Sequence, residues 1–396
     1  MKLAYRLLLT LTTFFILSNC TESTPLEQAL SSRELQELIA NPAHEVQIRY
    51  TQIDRSSEGD PIFTTHSIGE DNAAYFYPAS TAKLPITVLA LQRLKELRAG
   101  GYRIDANTPF HIYSPDLSAS IALQDSTKID QKLTIAHLIK KVFLVSDNDS
   151  YNYLFDFLGR DYINQELLKK GLSHTQIQHK FLFGADNENT WHYVFLDAQD
   201  TVYVQTSIRS EISIENSATK GVTKGVGYQA NDSIIREAFD FSQKNRIALE
   251  DLEGILQRLI FPEVFSANQQ FDLSEEDYAF LKHWMSRNTL ESIEPNYQKD
   301  NEHYDSYVKF FIYGDRKGEM TDVIRIYNKV GLAYGTLTDA AYIRDAHSGA
   351  EFFLSASILV NKNGIFNDNQ YEYDEIGIPF LAEVGRAVLS YEQSKR

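Results

Sequence analysis

The sequence contains a single cysteine, Cys20, in 396 residues. An intramolecular disulfide is therefore excluded, and the chain is not a small, cross-linked scaffold. Positive charge is also in deficit, because 38 Lys and Arg residues face 54 Asp and Glu residues, giving a formal net charge of -16. This balance argues against a nucleic acid as a partner and against an anionic membrane face. No apolar run after the N-terminus is long enough to span a bilayer.

Clusters of metal-binding residues are missing as well. The ten histidines show no zinc-like spacing, since pairs such as His174 and His179 lack the further ligands of such a site. We therefore expect neither a metal nor another cofactor. The rest is ordinary for a globular protein: 43% of the residues are apolar and 23% are charged, and the length is sufficient for a large core.

The N-terminus has the form of a targeting segment. Lys2 and Arg6 precede a short apolar run that ends at Leu17-Ser18-Asn19-Cys20, as in a secretory signal. The ending resembles the lipobox of bacterial lipoproteins, although Asn19 stands where Gly or Ala is usual. This resemblance implies a signal peptide over residues 1–19, lipidation of Cys20, and a lipid anchor in the bacterial cell envelope, on a periplasmic or outer-membrane face. A plain secretory peptide with an incidental cysteine is the alternative. Residues 20–43 are interpreted as a tether followed by a first helix.

A serine and a lysine stand three residues apart in Pro78-Ala79-Ser80-Thr81-Ala82-Lys83. The apolar spacing that follows, from Leu84 to the Gly100-Gly101 stop, predicts a helix of about four turns. Ser80 and Lys83 would then share one helix face at the positive end of the helix dipole. A hydroxyl becomes a nucleophile when a nearby base takes its proton, and a lysine of lowered pKa is such a base. Alone, the pair is a weak signal, because a capping serine followed by a solvated lysine is the more common origin of this spacing.

Two further short segments contain polar residues that matter when they are considered together with Ser80 and Lys83. Ser146-Asp147-Asn148 follows an apolar helical pattern, and Asn328-Lys329-Val330-Gly331 ends an alternating run near the C-terminus. Each alone is an ordinary turn or strand end. Together with Ser80 and Lys83, however, they resemble the Ser-x-x-Lys, Ser-Asp-Asn and Lys-Thr-Gly motifs of class A β-lactamases and penicillin-binding proteins, in the same chain order. On this resemblance the chain is identified as a β-lactamase-related serine hydrolase.

The resemblance implies an α+β, β-lactamase/transpeptidase-like fold, with an antiparallel sheet flanked by helices and an all-helical lobe. The residue patterns agree with this order, because strand signals stand at both ends of the chain and helical signals between them. We expect a single domain over 44–394, divided into an α/β lobe (44–83 and 321–394) and a mainly helical lobe (84–320) with insertions at 200–245 and 285–320. The predicted strands are Val46–Tyr50, Ile62–Thr65, Val323–Lys329, Tyr334–Ile343 and Glu351–Val360, and the main predicted helices are Leu133–Leu144, Asn152–Leu158, Ile163–Lys170, Ile247–Leu259, Ser274–Trp284 and Pro379–Tyr391.

The resemblance also assigns roles within the motifs. Ser80 would be the nucleophile and Lys83 its base, with the Ser146 hydroxyl as a proton relay and Lys329 as a nearby cation. The substrate would be bound by Asn148, Gly331 and Leu332. The backbone N–H groups of Ser80 and Leu332 would form the oxyanion hole, and Asp147 would support its turn.

Because of two departures from the family pattern, the motifs do not decide which reaction the protein catalyses. Val330 replaces the usual hydroxyl residue, so one hydrogen bond to a substrate carboxylate is absent. The deacylating carboxylate of a β-lactamase has only Glu188 as a candidate, without the usual surrounding motif. Three hypotheses follow: β-lactamase-like hydrolysis of a β-lactam or related amide or ester, a D-alanyl-D-alanine peptidase or penicillin-binding protein acting on peptidoglycan, and a non-enzymatic envelope protein.

Overall fold

A five-stranded antiparallel sheet combines strands from the N-terminal and the C-terminal parts of the described chain. The structure, a computed structural model, describes residues 23–198, 200–298, 302–318 and 320–396. The predicted signal peptide and the lipidation site at Cys20 lie outside these residues. In spatial order, the strands of this central sheet are Ile324–Ala333, Thr336–Asp345, Glu351–Leu359, Gln47–Arg55 and Pro61–Ile68. All five predicted strands are therefore confirmed.

The central sheet is covered on both faces. Along Thr336–Asp345, Leu337 and Ala341 pack into a cluster with the C-terminal helix, whereas Ala340 and Tyr342 pack on the opposite side. Alternate residues of a strand point to opposite faces. The strand is thus buried on both faces, and every residue from Thr336 to Ile343 is buried, including the polar Thr338 and Asp339.

The helix Lys83–Ala99 forms the centre of the second layer, and its residues from Lys83 to Gln92 are all buried. It follows a single 3-10 turn, Ala79–Ala82. The predicted helices are confirmed with shifts of a few residues at their ends. The other helices are Pro25–Ala29, Arg33–Ala40, Ile135–Val145, Asn148–Leu158, Arg160–Lys169, Leu249–Ile260, Glu275–Ser286 and Ile378–Ser394.

The central stretch of the chain contains more sheet than its sequence predicted. A second, four-stranded sheet lies inside the stretch expected to be helical, and it extends into the segment expected to be an insertion. Its strands have three to six residues each, so their alternation of buried Phe110 and Ile112, or Tyr193 and Phe195, is too brief to stand out. In spatial order they are Ser120–Ala122, Phe110–Tyr113, His192–Asp197 and Asp200–Gln205.

Several short pairs of strands are formed by the chain up to residue 247. Gly227–Ala230 pairs with Ser233–Ile235 and, in parallel, with Ile365–Phe366. The strand Thr223–Lys224 lies between Gly221 and Gly227. This strand pairs with Phe239–Asp240, as Thr175–Gln176 does with Arg246–Ile247. Across the described ranges, no helix combines the length and the apolarity needed to cross a lipid bilayer.

Candidate active site

Ser80 lies in the 3-10 turn that leads into the buried helix Lys83–Ala99. Two hydrogen bonds to the Pro78 carbonyl hold this turn, one from the Thr81 hydroxyl at 2.7 Å and one from the Thr81 N–H at 3.1 Å. Ala79, just before the serine, has a φ of 47°, in the left-handed region that a residue with a Cβ rarely adopts. The turn therefore presents Ser80 in a locally strained, fixed position.

Gly331 brings the end of the central-sheet strand Ile324–Ala333 against this turn. A Cβ at position 331 would lie 2.3 Å from the Pro78 carbonyl oxygen and 3.0 Å from the Ser80 nitrogen. Only glycine permits so close an approach of two backbones. The strand that carries Lys329 and Leu332 is thus brought directly beside the Ser80 backbone.

Lys83 is fully buried beneath the cleft, with no exposed surface. Its Nζ donates to Asn148 Oδ1 at 2.6 Å, lies 3.3 Å from Ser146 Oγ, and also contacts the Ser146 carbonyl oxygen. Burial lowers the pKa of Lys83 to about 7, against the opposing charges of Asp147 and Asp149. At neutral pH a substantial fraction of the amine is therefore uncharged and able to accept a proton.

Ser146 and Asn148 are positioned by the junction of two helices. Ser146 ends the helix Ile135–Val145 with a φ of 56°. Asp147 caps the helix Asn148–Leu158 by accepting a hydrogen bond from the Ser150 N–H at 2.7 Å. The predicted supporting role of Asp147 in this turn is confirmed. The tight junction places the Ser146 hydroxyl and the Asn148 amide together around the amine of Lys83.

Lys329 reaches the same hydroxyl from the sheet. Its Nζ donates to Ser146 Oγ at 2.9 Å and to the Val330 carbonyl oxygen at 2.9 Å. Burial, and next the nearby Lys83, hold the pKa of Lys329 well below its usual value. Ser146 Oγ thus lies between two lysine amines, so its own proton is available to a group in the cleft.

The cleft above these groups has a volume of about 620 Å³, and its walls include Ser80, Ser146, Asn148, Gly331 and Leu332. Lys83 and Lys329 lie beneath it, in contact with Ser146. The structure therefore brings together residues that are separated by up to 252 positions, 80 and 332, along the chain. Amines and a hydroxyl in such contact can pass a proton between Lys83, Ser146 and Lys329. Within the described residues, no group of three or more His, Cys, Asp or Glu side chains could hold a metal ion.

Comparison with known proteins defines the family. The model of the beta-lactamase enzyme family matches residues 30–391. This chain belongs to that family. A solved structure described as PBP-A is 16% identical and covers 93% of this chain and 97% of its own, with a TM-score of 0.51. A beta-lactamase from Desulfarculus baarsii DSM 2075 is 14% identical, with coverages of 92% and 97% and a TM-score of 0.50. No curated protein matches the sequence significantly.

These similarities confirm the predicted fold class and the assignment to the β-lactamase and penicillin-binding protein superfamily. At such low identity the structural likeness establishes the fold alone. What this member of the beta-lactamase enzyme family can do must therefore be argued from the side chains of its own cleft.

Glu188 is the one predicted residue of this beta-lactamase-family site that the structure places elsewhere. Its side chain is 56% exposed, 4.0 Å from Arg160, and it is not among the residues that line the cleft. Asp186 accepts hydrogen bonds from the N–H groups of Glu188 and Asn189, both at 2.9 Å. This turn holds the segment, and the Glu188 carboxylate lies outside the cleft. Its assignment as a deacylation base therefore stays a prediction, and no contact of the described residues supports it.

An aromatic ring that the motifs did not reveal lies beside the catalytic lysine candidate. The Phe181 ring centre is 5.3 Å from Lys83 Nζ, and the ring stacks on Tyr151 at 4.6 Å. Its backbone N–H donates to Asn152 Oδ1 at 2.7 Å. Asn152 stands four residues after Asn148, on the same face of the helix. This face therefore accepts hydrogen bonds from both the Lys83 amine and the Phe181 N–H. Among the described side chains, no carboxylate is hydrogen-bonded to Lys83.

A buried polar network behind the sheet was also missed. Lys309 Nζ donates to Asn328 Oδ1 at 2.7 Å, and Asn328 Nδ2 donates to Asp339 Oδ1 at 2.8 Å. Burial lowers the pKa of Lys309 to about 7 and raises that of Asp339 to about 6. The network fixes the strand position next to Lys329. This network has no signal in the sequence, because Lys309 lies in a segment without a regular pattern.

Proposed function

We propose that the chain is a serine hydrolase that forms an acyl-enzyme through Ser80 with a β-lactam or a related amide or ester. One observation carries this proposal: the amines of Lys83 and Lys329 both contact the Ser146 hydroxyl, at 3.3 and 2.9 Å, at the base of a cleft that Ser80 lines.

In the proposed mechanism, Ser80 Oγ attacks the substrate carbonyl while its proton moves to the amine of Lys83. The backbone N–H groups of Ser80 and Leu332 stabilise the oxyanion. Ser146 then passes a proton to the leaving nitrogen, and the amine of Lys329 holds the Ser146 oxygen in place by its hydrogen bond. Asn148 holds Lys83 and offers its N–H₂ group to a substrate carbonyl.

The test is labelling with a fluorescent penicillin, followed by gel fluorescence and intact-mass measurement. Wild type is expected to gain the mass of one opened β-lactam, whereas Ser80→Ala gains none. Ser118→Ala, at an exposed serine outside the cleft, is the matched control and should label as wild type does. Absence of an adduct on wild type would reject β-lactam reactivity, though not the hydrolysis of esters.

A second candidate, a D-alanyl-D-alanine peptidase or penicillin-binding protein acting on peptidoglycan, is supported by Phe181. A ring lies 5.3 Å from Lys83 Nζ, and no described carboxylate is hydrogen-bonded to that amine. A water molecule near the acyl-enzyme therefore lacks the carboxylate base expected of a β-lactamase. The adduct with a β-lactam is then expected to persist. Release of muropeptides by wild type and not by Ser80→Ala supports this candidate; rapid turnover of a β-lactam supports β-lactamase activity.

The third hypothesis, a non-enzymatic envelope protein, predicts that Ser80→Ala changes no activity or phenotype. For the location, we propose attachment to a cell-envelope membrane through a lipid on Cys20. The sequence Leu17-Ser18-Asn19-Cys20 after an apolar run supports this location. Labelling with a radioactive or clickable fatty acid in a bacterial host tests it.

A further inference from the structure

A second cavity, here called the tyrosine pocket, adjoins the active-site cleft. Its volume is about 340 Å³, and Leu332 lines both cavities. Small-molecule sites have volumes of about 300–1,000 Å³, so the pocket is large enough for a small ligand. None of the catalytic side chains proposed above lines it, and the mechanism gives it no role. The other lining residues are Ala333, Tyr334, Asn367, Asn369, Tyr371 and Tyr373.

A tight hairpin fixes two of the tyrosine rings. The strands on either side of Tyr334 and Gly335 pair directly, and these two residues have φ values of 52° and 74°. Positive φ at both loop positions is the geometry of a type I′ turn. A Cβ at Gly335 would lie 3.0 Å from Cδ1 of Tyr371, and the Gly335 N–H donates to the Tyr373 hydroxyl at 2.8 Å. The turn therefore holds both rings in place.

The phenol groups of Tyr371 and Tyr373 are hydrogen-bond donors available to a ligand. The Tyr371 oxygen accepts a hydrogen bond from the Asn367 N–H at 2.7 Å, and the Tyr373 oxygen is likewise an acceptor, from Gly335. A phenol can accept and donate at the same time, and neither phenol donates to another described residue. The two ring centres lie 5.2 Å apart, with the planes at 45°. Burial raises the pKa of Tyr371 to about 12, so this phenol keeps its proton at neutral pH.

Hydrogen-bond acceptors stand in the same pocket. Asn367 Nδ2 donates to the Gln229 carbonyl oxygen at 2.9 Å, which leaves Asn367 Oδ1 as an acceptor. The Asn369 amide is exposed in the same loop, and it has no hydrogen bond to another described residue. The pocket thus combines donors and acceptors with aromatic rings.

Charge is missing from the tyrosine pocket, as far as the described residues line it. Asp368, in the same loop, accepts hydrogen bonds from the Gln370 N–H at 3.0 Å and from Asn363 Nδ2 at 2.8 Å, one on each carboxylate oxygen. Lys244 Nζ lies 5.7 Å from the centre of the Tyr334 ring but is not a lining residue. An ionic ligand would therefore lose hydration without gaining an opposite charge. A purely apolar ligand would leave the phenols and amides unpaired.

We propose that the tyrosine pocket is a binding site for a neutral sugar in its pyranose form. A pyranose has hydroxyl groups that both donate and accept hydrogen bonds, and a face of C–H groups that packs on the electron-rich face of an aromatic ring. The pocket offers partners for both features and no charge. This inference goes beyond the proposed function and does not depend on the chemistry of Ser80.

Binding of methyl glycosides to the full-length Ser80→Ala protein, followed by methyl NMR, tests the inference. The reporter is the Leu332 side chain, whose signals are assigned by their loss in Leu332→Met. The methyl glycosides of glucose, galactose and N-acetylglucosamine are compared with glycerol, which has hydroxyls without a ring, and with cyclohexylmethanol, which has a ring with one hydroxyl. At least one glycoside should shift the Leu332 signals with a dissociation constant in the millimolar range. It should bind about tenfold or more tightly than both reference compounds, because each of these lacks one set of contacts.

Variants of the pocket locate the sugar. Tyr373→Phe removes one O–H donor and keeps the ring, so it should weaken binding about two- to tenfold, the range of one hydrogen bond. Asn369→Gly removes an amide at a position whose φ of 56° glycine adopts without strain, and it should weaken binding by a similar factor. Tyr102→Phe changes a tyrosine that is 45% exposed and outside the pocket, and it should bind as the unmodified pocket does. Melting curves show that each variant is folded.

The outcomes decide the inference independently of the proposed function. If no glycoside shifts the Leu332 signals at about 50 mM, well above the millimolar range, the sugar site is refuted. Equal binding of glycerol or cyclohexylmethanol also refutes it, as does binding that neither Tyr373→Phe nor Asn369→Gly weakens. Because Ser80→Ala protein is used throughout, the result stands whether or not wild type is labelled by penicillin.

Discussion

The pH dependence of acylation is the sharpest consequence of the buried Lys83. Its pKa is lowered to about 7 by burial, and the uncharged amine is the form that can accept the Ser80 proton. The sign follows directly: protonation removes the base, so the rate should fall as the pH falls through the pKa. At pH 5, two units below it, only about one per cent of the amine is uncharged, so acylation should be about a hundredfold slower than on the plateau above pH 8.

The assay is rapid-mixing acylation by a fluorescent penicillin between pH 5 and 9. Lys83→Arg keeps a cation that does not lose its proton in proteins, and it should lower the rate about 10²- to 10⁴-fold, the usual contribution of a general base. The exposed Lys132→Ala is the matched control. A profile without a midpoint near pH 7, or an unimpaired Lys83→Arg variant, would refute the role of Lys83 as base.

Three further predictions concern the turn, the aromatic ring and the anchor. Gly331→Ala places a methyl group 2.3 Å from the Pro78 carbonyl oxygen, so it should lower the free energy of unfolding by about 1–3 kcal/mol and slow acylation; a normal melting curve with normal labelling would contradict this. Phe181→Glu should shorten the lifetime of the β-lactam adduct about tenfold or more by supplying a base, whereas Phe181→Gln should not; equal lifetimes in both variants would oppose the explanation for slow deacylation. Cys20→Ser should shift the protein from the membrane to the soluble fraction of a bacterial host, and unchanged membrane association would refute lipidation.

The sequence alone predicted those parts of the site that are formed by residues close together in the chain. Ser80 and Lys83 are close in the chain, and the helix that begins at Lys83 follows from apolar spacing alone. The convergence of Ser146 and Lys329 on them could not be obtained from spacing, because it depends on the packing of the sheet against the helices. It was predicted through the resemblance of three ordered motifs.

The differences between expectation and structure have physical causes as well. Glu188 was chosen as the acidic candidate after Ser-Asp-Asn, but a carboxylate in the sequence carries no information on its direction, and the local turn points this one to solvent. Phe181 was missed because an apolar residue in a loop has no motif. Its position depends on one hydrogen bond from its own N–H to Asn152, at 2.7 Å. The second sheet was missed because strands of three to six residues give too few alternations to be distinguished from irregular chain.

The site of covalent modification tests the central claim most directly. After incubation with penicillin, proteolysis and peptide mapping by mass spectrometry locate the adduct. The mechanism predicts that it lies on Ser80, and that both Lys83→Ala and Ser146→Ala strongly reduce its rate of formation while the melting curves show folded protein. An adduct on another residue, or formation on Ser80 at an undiminished rate in both variants, would contradict the claim that these buried groups make the serine nucleophilic.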